Sequence, residues 1–407
     1  MRFSDYPISN EIKEQLDLLG FNKPTDIQFK TITPILNGED VFAIAQTGTG
    51  KTAAFAIPII HVLSKNNPKS KAPRCIVMAP TRELAEQITS VFETIGKNSQ
   101  VRITCVMGGV DQDKQINQLK RGTDIIVATP GRVFDLRSQG FLSLDDIRFL
   151  VLDEADRMLD MGFAHDIKAI HSLSPKKHRQ TLFFSATITK KIKALAYDIV
   201  RDAIRIQISP KNLVSKNVSH AYIHVDMDDK RFFLENMLKE YEALKFVVFV
   251  RTKVRSERVV AAMERVGLKT EALHGGIEQA ERFAILERFR NNENRILITT
   301  DVAARGIDIP GVDYVINYDL PDLEEQYVHR VGRTGRGTKK GQAIAFCSPD
   351  EIPFLTAIET YIGEEIAQLE IDKFTYKTII DDSEDLSYNW KKLLDQANEE
   401  DGTSDNW

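Results

Sequence analysis

Residues 45–52 read Ala45-Gln46-Thr47-Gly48-Thr49-Gly50-Lys51-Thr52, and the rest of the chain is organised around them. The apolar run Val41–Ile44 before them predicts a buried strand, and Ala53–Ile57 after them predict a helix. The N–H groups of a glycine-bearing turn and the dipole of the following helix converge on one point, which favours anions. Lys51 adds a charge for phosphates, and the Thr52 hydroxyl can ligate magnesium. The stretch predicts a nucleoside triphosphate site, and the alternative is an ordinary glycine turn. The general pattern of phosphate-binding turns has glycine at the position of Ala45.

Length and composition indicate a protein of two globular domains. The 407 residues are too many for one ordinary core, and 42% hydrophobic with 28% charged residues is typical of globular proteins. No apolar run approaches the ~20 residues of a membrane span, and the N-terminus lacks the apolar core of a signal peptide. Cys75, Cys105 and Cys347 form no Cys-x-x-Cys pair. We therefore expect buried thiols in a reducing compartment, the cytoplasm, and no contact with a membrane.

The net charge of −5 is distributed unevenly along the chain. Residues 381–407 hold nine acidic residues and two lysines, a net charge of −7, so residues 1–380 sum to +2. Nucleic acid binding would therefore depend on local patches and not on overall charge. We expect the acidic segment to be a mobile, solvated end.

Apolar strand-like runs alternate with helical patterns twice, which predicts an α/β fold of two mainly parallel sheets with helices on both faces. The expected strands are Val41–Ala45, Cys75–Ala79, Ile103–Met107, Asp124–Ala128, Phe149–Leu152, Thr181–Ser185, Ile204–Ile208, His220–Val225, Phe246–Val250, Thr270–Leu273, Ile296–Thr299, Tyr314–Asn317 and Ala343–Cys347. The polar residues between the two series indicate a linker. We assign residues 1–209 to the first domain, 210–219 to the linker, 220–372 to the second domain and 373–407 to the tail.

Asp153-Glu154-Ala155-Asp156 follows the apolar run Phe149–Leu152. Carboxylates at the end of a buried strand are costly unless a cation is bound there. With a phosphate turn in the same domain, the cation is expected to be Mg²⁺ held by Asp153, and Glu154 would orient or deprotonate the attacking water. The alternative is an acidic loop that caps the next helix.

Arg330, Arg333 and Arg336 recur at intervals of three, with glycines between them. Glycine weakens a helix and stacked like charges repel, so an anion should face this series. The second domain has no phosphate turn of its own. We therefore expect the γ-phosphate bound by the first domain to be that anion, with Arg333 and Arg336 as arginine fingers.

Together these motifs resemble those of the DEAD-box ATP-dependent RNA helicases over residues 3–365, in the order of that family. The resemblance implies two tandem RecA-like domains, with ATP and Mg²⁺ as cofactors. It also accounts for Ala45, because these helicases carry alanine at the start of this turn. The stretch Asp153–Phe163 is most similar to the bacterial RhlE subgroup.

The resemblance also assigns the contacts of the nucleotide. Gly20-Phe21 and Pro24-Thr25-x-Ile27-Gln28 resemble the motif that recognises adenine, where one amide can both donate and accept. Phe3, seventeen residues before Gly20, matches the aromatic residue that stacks on the base. The expected nucleotide contacts are Phe3, Phe21, Thr25, Gln28, Ala45, Gln46, Thr47, Gly48, Thr49, Gly50, Lys51, Thr52 and, on the ribose, Asp308. The expected metal ligands are Thr52 and Asp153.

The remaining motifs follow predicted strands and resemble the coupling and RNA-contacting segments of the family. Ser185 and Thr187 would link the nucleotide site to the second domain, with His329 as their bridge; capping of the next helix is the alternative. Small residues, helix starts and arginines at loop ends suit phosphate contacts, although turn and cap chemistry explains them equally well. The expected RNA contacts are Pro80, Thr81, Arg82, Gly108, Gly109, Thr129, Pro130, Gly131, Arg132, Arg251, Thr252, Gly275, Gly276, Gln279, Arg282 and Thr300.

These assignments predict an RNA-stimulated ATPase that locally and non-processively separates short RNA duplexes or remodels RNA–protein complexes, acting as a monomer. Catalysis would involve Lys51, Asp153, Glu154, Ser185, Thr187, His329, Arg333 and Arg336. One alternative function is an ATP-gated RNA clamp, which needs the same residues. A DNA translocase of the same superfamily is the other, and Gln28 with Asp153–Asp156 argues against it.

Overall fold

The computed structural model describes residues 1–46, 48–65, 71–208, 213–304, 309, 311–335 and 340–384. The chain divides into two compact units, the first holding the described residues up to 208 and the second those from 213 to 304 and from 309 onward. Within these ranges, no helix combines the length and the apolar character that crossing a membrane requires.

In the described part of the first unit, seven strands form one sheet, and every neighbouring pair is parallel. The strands are β1 Val41–Ile44, β2 Cys75–Met78, β3 Ile103–Val106, β4 Ile125–Ala128, β5 Phe149–Leu152, β6 Gln180–Ser185 and β7 Ile204–Gln207. Their spatial order is β3-β4-β2-β5-β6-β1-β7. Because all seven strands are parallel, the loops that follow them meet at one edge of the sheet, where α/β proteins bind ligands.

Helices cover both faces of this sheet. After a 3-10 helix at Phe3–Asp5, they are α1 Asn10–Leu18, α2 Asp26–Leu36, α3 Lys51–Lys65, α4 Arg82–Ile95, α5 Gln112–Arg121, α6 Pro130–Ser138, α7 Ala155–Asp160, α8 Ala164–Leu173 and α9 Lys190–Ile199. Val41 and Ala43 of β1 belong to one apolar cluster, and Phe42 and Ile44 belong to another. Successive side chains of a strand point to opposite faces, so both faces are packed.

The described residues of the second unit form another parallel sheet of seven strands. The strands are β8 Val218–His224, β9 Phe246–Val250, β10 Glu271–Leu273, β11 Ile296–Thr300, β12 Tyr314–Asn317, β13 Gly341–Cys347 and β14 Ala367–Gln368. The order β10-β11-β9-β12-β13-β8-β14 repeats that of the first sheet strand for strand. All five residues of β9 are buried, as expected for a sheet packed on both faces.

The helices of the second unit follow the same alternation. They are α10 Lys230–Glu240, α11 Lys253–Arg265, α12 Gln279–Arg290, α13 Asp301–Ala304, α14 Glu324–Val331, α15 Ile352–Ile362 and α16 Lys373–Asp381, with a 3-10 helix at Pro349–Glu351. The expected architecture, two tandem parallel sheets with helices on both faces, is confirmed.

Three details differ from the sequence-based expectation. Strand β8 begins at Val218, inside the expected linker, because Val218 and Ser219 pair with the start of β13. Strand β14 is two exposed residues long and carries no apolar pattern that would predict it. Helix α16 lies in the segment expected to be a mobile tail, of which residues 385–407 lie outside the described range.

Helix α16 is held against α10 by side-chain contacts. The ring of Tyr376 lies 4.9 Å from that of Phe233, and its hydroxyl donates to Oδ2 of Asp229 at 2.8 Å. Past the helix, the Ser383 hydroxyl donates to Glu235 at 2.5 Å. One aromatic contact and two hydrogen bonds, one buried and one partly buried, therefore offset the loss of chain entropy on ordering this segment. The acidic composition alone predicts a mobile segment.

We expect Tyr376→Ala to lower the free energy of unfolding of the second unit by about 2 kcal/mol, because it removes a packed ring and a hydrogen bond. Phe374→Ala is the matched control, since Phe374 in the same helix is 81% exposed and its loss should cost below about 0.5 kcal/mol. Urea unfolding of the full chain, followed by circular dichroism, measures both. Equal effects of the two substitutions would show that α16 is not docked through Tyr376.

Candidate functional site

The turn between β1 and α3 has a backbone that requires glycine. Gly48 and Gly50 have φ angles of +79° and +91°, in the region that side-chain-bearing residues rarely adopt. Lys51, the first residue of α3, is only 6% exposed, and its Nζ donates to the Ala45 carbonyl at 2.9 Å. The Thr49 hydroxyl donates to the Gln46 carbonyl at 2.8 Å. A buried ammonium group and the start of a 15-residue helix thus adjoin one turn, which suits an anion; Thr47 lies outside the described residues.

The segment expected to read adenine lies directly against this turn. The Thr25 hydroxyl donates to the Thr49 carbonyl at 2.8 Å, and Nε2 of Gln28 donates to the Gly50 carbonyl at 3.1 Å. Oε1 of Gln28 accepts from the Thr25 N–H at 2.9 Å. An amide has two N–H donors and two carbonyl lone pairs, so one of each is left to face a base. A Cβ on Gly50 would come within 2.5 Å of Nε2 of Gln28, so this contact also requires the glycine.

The two aromatic rings expected beside the base differ in exposure. Phe3 is 3% exposed and packs within an apolar cluster, whereas Phe21 is 40% exposed. Their ring centroids lie 6.3 Å apart. In this structure the ring with a face available for stacking is that of Phe21, because Phe3 contributes its surface to the core.

Asp153 lies at the carboxyl end of β5 and is 2% exposed. Burial raises the pKa of its carboxyl to about 6, while the charge of Lys51 opposes this rise. Its Oδ1 accepts from the Glu154 N–H at 3.0 Å. A carboxylate that is costly to bury beside a lysine fits a site for phosphate and cation together. Among the described residues no group of three or more His, Cys, Asp or Glu forms a metal site, and Mg²⁺ commonly takes one or two carboxylates and completes its shell with phosphate and water.

Glu154 has a left-handed backbone, with φ of +51°, and its Oε2 lies 3.1 Å from Nη1 of Arg157. It occupies the N-cap position of α7, but its side chain makes no capping hydrogen bond. In the structure, therefore, the Glu154 side chain does not cap α7, unlike in the alternative in which this acidic loop caps the next helix. Such backbone strain in a non-glycine residue is frequent at functional sites.

Asp156 connects the loops after β5 and β6. Its Oδ2 accepts from the N–H groups of Ala186 and Thr187 at 3.0 and 2.9 Å. The buried Ser185 hydroxyl donates to the Thr187 carbonyl at 2.8 Å, so these residues form one tight turn. Asp156 was absent from the expected site residues, although its place in the acidic motif was a signal for it.

The expected RNA contacts of the first unit follow β2, β3 and β4. A Cβ on Gly109 would overlap the guanidinium of Arg82, so Arg82 lies across the Gly108-Gly109 turn. Thr81 caps α4 by accepting from the Leu84 N–H at 3.4 Å. Thr129 occupies the N-cap of α6 without a side-chain bond, and Pro130, Gly131 and Arg132 follow in its first turn. The structure thus brings Arg82 and the two glycines together from two loops.

The expected RNA contacts of the second unit fall into exposed and buried groups. Thr252 caps α11, Gly275 is exposed, and a Cβ on Gly276 would overlap the Lys253 side chain, which the sequence analysis did not single out. Gln279 begins α12.

Arg282 and Thr300, two of the expected RNA contacts, are only 8% and 7% exposed. Nη2 of Arg282 donates to the Ala303 carbonyl at 2.6 Å. Helical spacing puts Arg282 on the buried face of α12 with Ile285 and Phe289. Arg282 therefore supports the loop after β11.

Arg330, the first of the three arginines, is paired within its own unit. It is 1% exposed, and its Nε and Nη2 contact the two carboxylate oxygens of Asp301 at 2.7 and 2.6 Å. Its Nη1 donates to Oδ1 of Asn317 and to the Asp319 carbonyl. The expectation that the anion facing this series comes from elsewhere is therefore wrong for Arg330. A bidentate carboxylate is the partner that best fits a guanidinium.

Arg333 is 7% exposed, and its Nε donates to the His329 carbonyl at 3.3 Å. His329 is half-buried in α14. Arg336 and Asp308 lie outside the described residues.

We expect Asp153→Asn to stabilise the protein in the absence of nucleotide and divalent cations. The folded-state pKa of about 6 lies above the ordinary 3.8, so the carboxyl destabilises the fold increasingly as pH rises between these values. The rise in pKa corresponds to about 3 kcal/mol, so the melting midpoint of the variant should exceed that of the wild type by about 6–12 °C at pH 8, with the gap closing below pH 6. Thermal unfolding in EDTA measures it, with the exposed Asp17→Asn as control. A lower midpoint for Asp153→Asn at pH 8 would contradict the origin of this pKa.

The chain is similar in sequence to known proteins over most of its length. The family model for DEAD/DEAH box helicases matches residues 25–195, and that for the helicase conserved C-terminal domain matches residues 229–338. The ATP-dependent RNA helicase RhlB of Shewanella amazonensis is 40% identical over 91% of this chain and 86% of its own length. The DEAD-box ATP-dependent RNA helicase CshA of Geobacillus kaustophilus is 42% identical over 88% of this chain and 76% of its own.

Among solved structures, S. cerevisiae Dbp5 bound to RNA and ADP BeF3 matches with a TM-score of 0.83 and 31% identity. The match covers 93% of this chain and 99% of that one. The two parallel sheets are therefore RecA-like domains. Because both family models match and relatives of 40% and 42% identity cover most of the chain, the chain belongs to the DEAD-box ATP-dependent RNA helicases.

Proposed function

We propose that this chain hydrolyses ATP in an RNA-stimulated manner and uses the cycle to separate short RNA duplexes locally or to remodel RNA–protein complexes. The observation that carries the proposal is the contact between the Thr25–Gln28 segment and the turn at Gly48–Lys51. It brings a base-reading amide and a phosphate-binding turn together. That pairing selects an adenine nucleotide over phosphate alone.

The nucleotide would be held by residues of the first unit. Gln28 would read the adenine edge, Phe21 would stack on the base, and the turn with Lys51 would bind the phosphates. A Mg²⁺ ion, when bound, neutralises charge on the phosphates; Thr52 and Asp153 are the residues that would hold it. Glu154, beside Asp153, would orient the attacking water or accept its proton.

The second unit would supply the positive charge that the hydrolysis step requires. We propose Arg333 and Arg336 as the fingers for the phosphoryl group, whereas Arg330 is engaged by Asp301. Asp308 would contact the ribose. His329, with Ser185 and Thr187, would couple the two units, and Asp156 would hold that turn in place.

RNA binding is proposed for the loops at the strand ends of both units, through phosphate contacts that give little sequence preference. Arg82, Arg132 and Arg251 would supply charge, and the glycines would let the strand approach the backbone. A nucleic acid that contacts both units would favour the ATP-bound form, and ATP would by linkage favour RNA binding.

The finer assignments rest on sequence. The stretch Asp153–Phe163 supports placement near the RhlE subgroup, whereas the relatives named above are RhlB and CshA. We propose that the first domain ends at 209 and that the second begins at Val218, two residues before the expected 220, because strand β8 starts there. We propose a cytoplasmic location, because the three cysteines are isolated from one another in the sequence. We also propose that the protein acts as a monomer.

The proposal is tested by the ATPase rate as a function of ATP, with single-stranded RNA, duplex RNA and matched DNA, together with displacement of a short labelled RNA strand. We expect stimulation by RNA above DNA, and displacement that needs ATP. Lys51→Ala should abolish nucleotide binding, while Lys65→Ala at the exposed end of the same helix should not.

Hydrolysis without displacement would favour an ATP-gated clamp, and equal stimulation by DNA would favour a translocase. A rate that is indifferent to every nucleic acid would overturn the proposal.

We expect Arg333→Ala to lower the RNA-saturated kcat by about 10³-fold or more, because it removes a charge that stabilises the transferring phosphoryl group. The KM for ATP should change far less, since the first unit holds the nucleotide. Arg290→Ala, which removes an exposed positive charge at the end of α12, is the matched control. Near-normal turnover of a folded Arg333→Ala protein would exclude Arg333 from the site.

A further inference from the structure

A charged cluster lies at the edge of the second sheet where the RNA-binding loops are proposed. We call it the edge cluster: Lys230, Arg251, Arg255, Asp319 and Glu351. Its members come from four segments, which follow β8, β9, β12 and β13 along the chain. Lys230, Asp319 and Glu351 are each 1% exposed or less, whereas the side chains of Arg251 and Arg255 are 32% and 30% exposed. The cluster therefore joins a buried centre to a partly exposed rim.

Glu351 is the centre of the edge cluster. Its Oε1 accepts from Nη2 of Arg251 at 3.0 Å and from the Leu320 N–H at 3.1 Å. Its Oε2 accepts from the Ser348 N–H and hydroxyl at 3.2 and 3.1 Å, and from Nζ of Lys230. One carboxylate thus receives five donors from four segments.

Helix capping explains only part of this arrangement. Ser348 and Glu351 form a capping box at the 3-10 helix Pro349–Glu351, which accounts for the bond from the Ser348 N–H but not for the one from its hydroxyl. It does not account for the burial of the carboxylate or for the donors from Lys230, Arg251 and Leu320. Burying a carboxylate is costly, so its surplus partners indicate a role beyond the cap.

One side of the Arg251 guanidinium is hydrogen-bonded within the protein, and the other side faces a solvent-exposed carboxylate. Its Nη2 donates both to Glu351 and to the Leu320 carbonyl, and its backbone N–H donates to Asp319 at 3.0 Å. Its Nε lies 3.1 Å from Oδ1 of Asp322, whose side chain is 60% exposed. A solvated carboxylate is a weak, exchangeable partner for a guanidinium. A phosphate could replace Asp322 while Glu351 keeps its place.

We propose that Glu351 is a positioning residue for RNA: it fixes the Arg251 guanidinium in the orientation from which it binds a phosphate of the RNA backbone. The inference rests on the proposed function. An arginine already held in one conformation loses less conformational entropy when the phosphate binds. Glu351 itself is too deeply buried to contact RNA, so it acts through Arg251.

A double-mutant cycle on RNA affinity tests this proposal. The probe is a fluorescently labelled decauridylate, titrated into the full chain with Mg²⁺ and a non-hydrolysable ATP analogue, at several salt concentrations. Glu351→Gln keeps a side chain able to form the capping box but removes the charge that holds Arg251. It should weaken binding about tenfold, the effect of one charge-assisted hydrogen bond. The plot of log affinity against log salt should become shallower by about 0.7, the loss of one phosphate contact.

Arg251→Met should produce the same loss of affinity and the same change of slope. In the Arg251→Met background, Glu351→Gln should then have no further effect, because the residue through which it acts is gone. Ser348→Ala is the matched control. It removes the hydroxyl that donates to the same carboxylate and accepts from the Glu351 N–H, so it should lower the melting midpoint while the affinity and the salt slope stay as in the wild type.

Three outcomes would overturn the inference. The first is a Glu351→Gln protein with wild-type affinity and slope, and the second is a loss that persists in the Arg251→Met background. The third is an Arg251→Met protein that binds the probe normally. If Glu351→Gln does not fold, Glu351→Asp, which keeps the charge on a shorter side chain, enters the same cycle with the same expectations. A wild-type protein that binds no RNA with the analogue would overturn the proposed function itself.

Discussion

A buried lysine and a buried aspartate of opposite charge lie at the same edge of the first sheet, and the site depends on this pair. Lys51 and Asp153 come from loops after two different strands, and each is less than a tenth exposed. Desolvation destabilises the charge of Asp153, and the charge of Lys51 only partly relieves this carboxylate. The edge is therefore stabilised by whatever brings phosphates to the lysine and a cation to the carboxylate. Binding energy at such a site can be large because the protein bears the cost of the charges before ligand arrives.

The second sheet repeats the strand order of the first, but the chemical groups at the corresponding edge are different. Where the first unit has a glycine turn open to an anion, the second has internal ion pairs. Asp301 forms an ion pair with Arg330, and Glu351 accepts hydrogen bonds from Lys230 and Arg251. The same topology thus carries the proposed ligand site in one unit and a cluster of ion pairs in the other. The arginines that remain partly exposed at that edge are the groups that can serve a bound polyanion.

The fold and the main motifs were predictable because their signals are local. A parallel sheet buried on both faces has continuous apolar strands, so β1 to β7 were located to within one residue at each end. Gly48 and Gly50, which mark the phosphate turn in the sequence, have positive φ angles in the structure. The short strand β14 and the docked helix α16 could not be predicted. Their stability comes from contacts with β8 and α10, which are distant in the chain.

The sequence by itself determined which chemical groups the chain offers: the phosphate turn and the acidic motif, each after a strand, and the arginine series that begins in α14. Only the tertiary structure decided which of those groups are occupied by partners within the protein. Phe3, Arg282 and Arg330 match the expected pattern as residues, yet each is buried and packed or bonded within its own unit. The physical reason is that spacing along the chain specifies the edge on which a side chain emerges, whereas burial and pairing depend on residues far away in sequence.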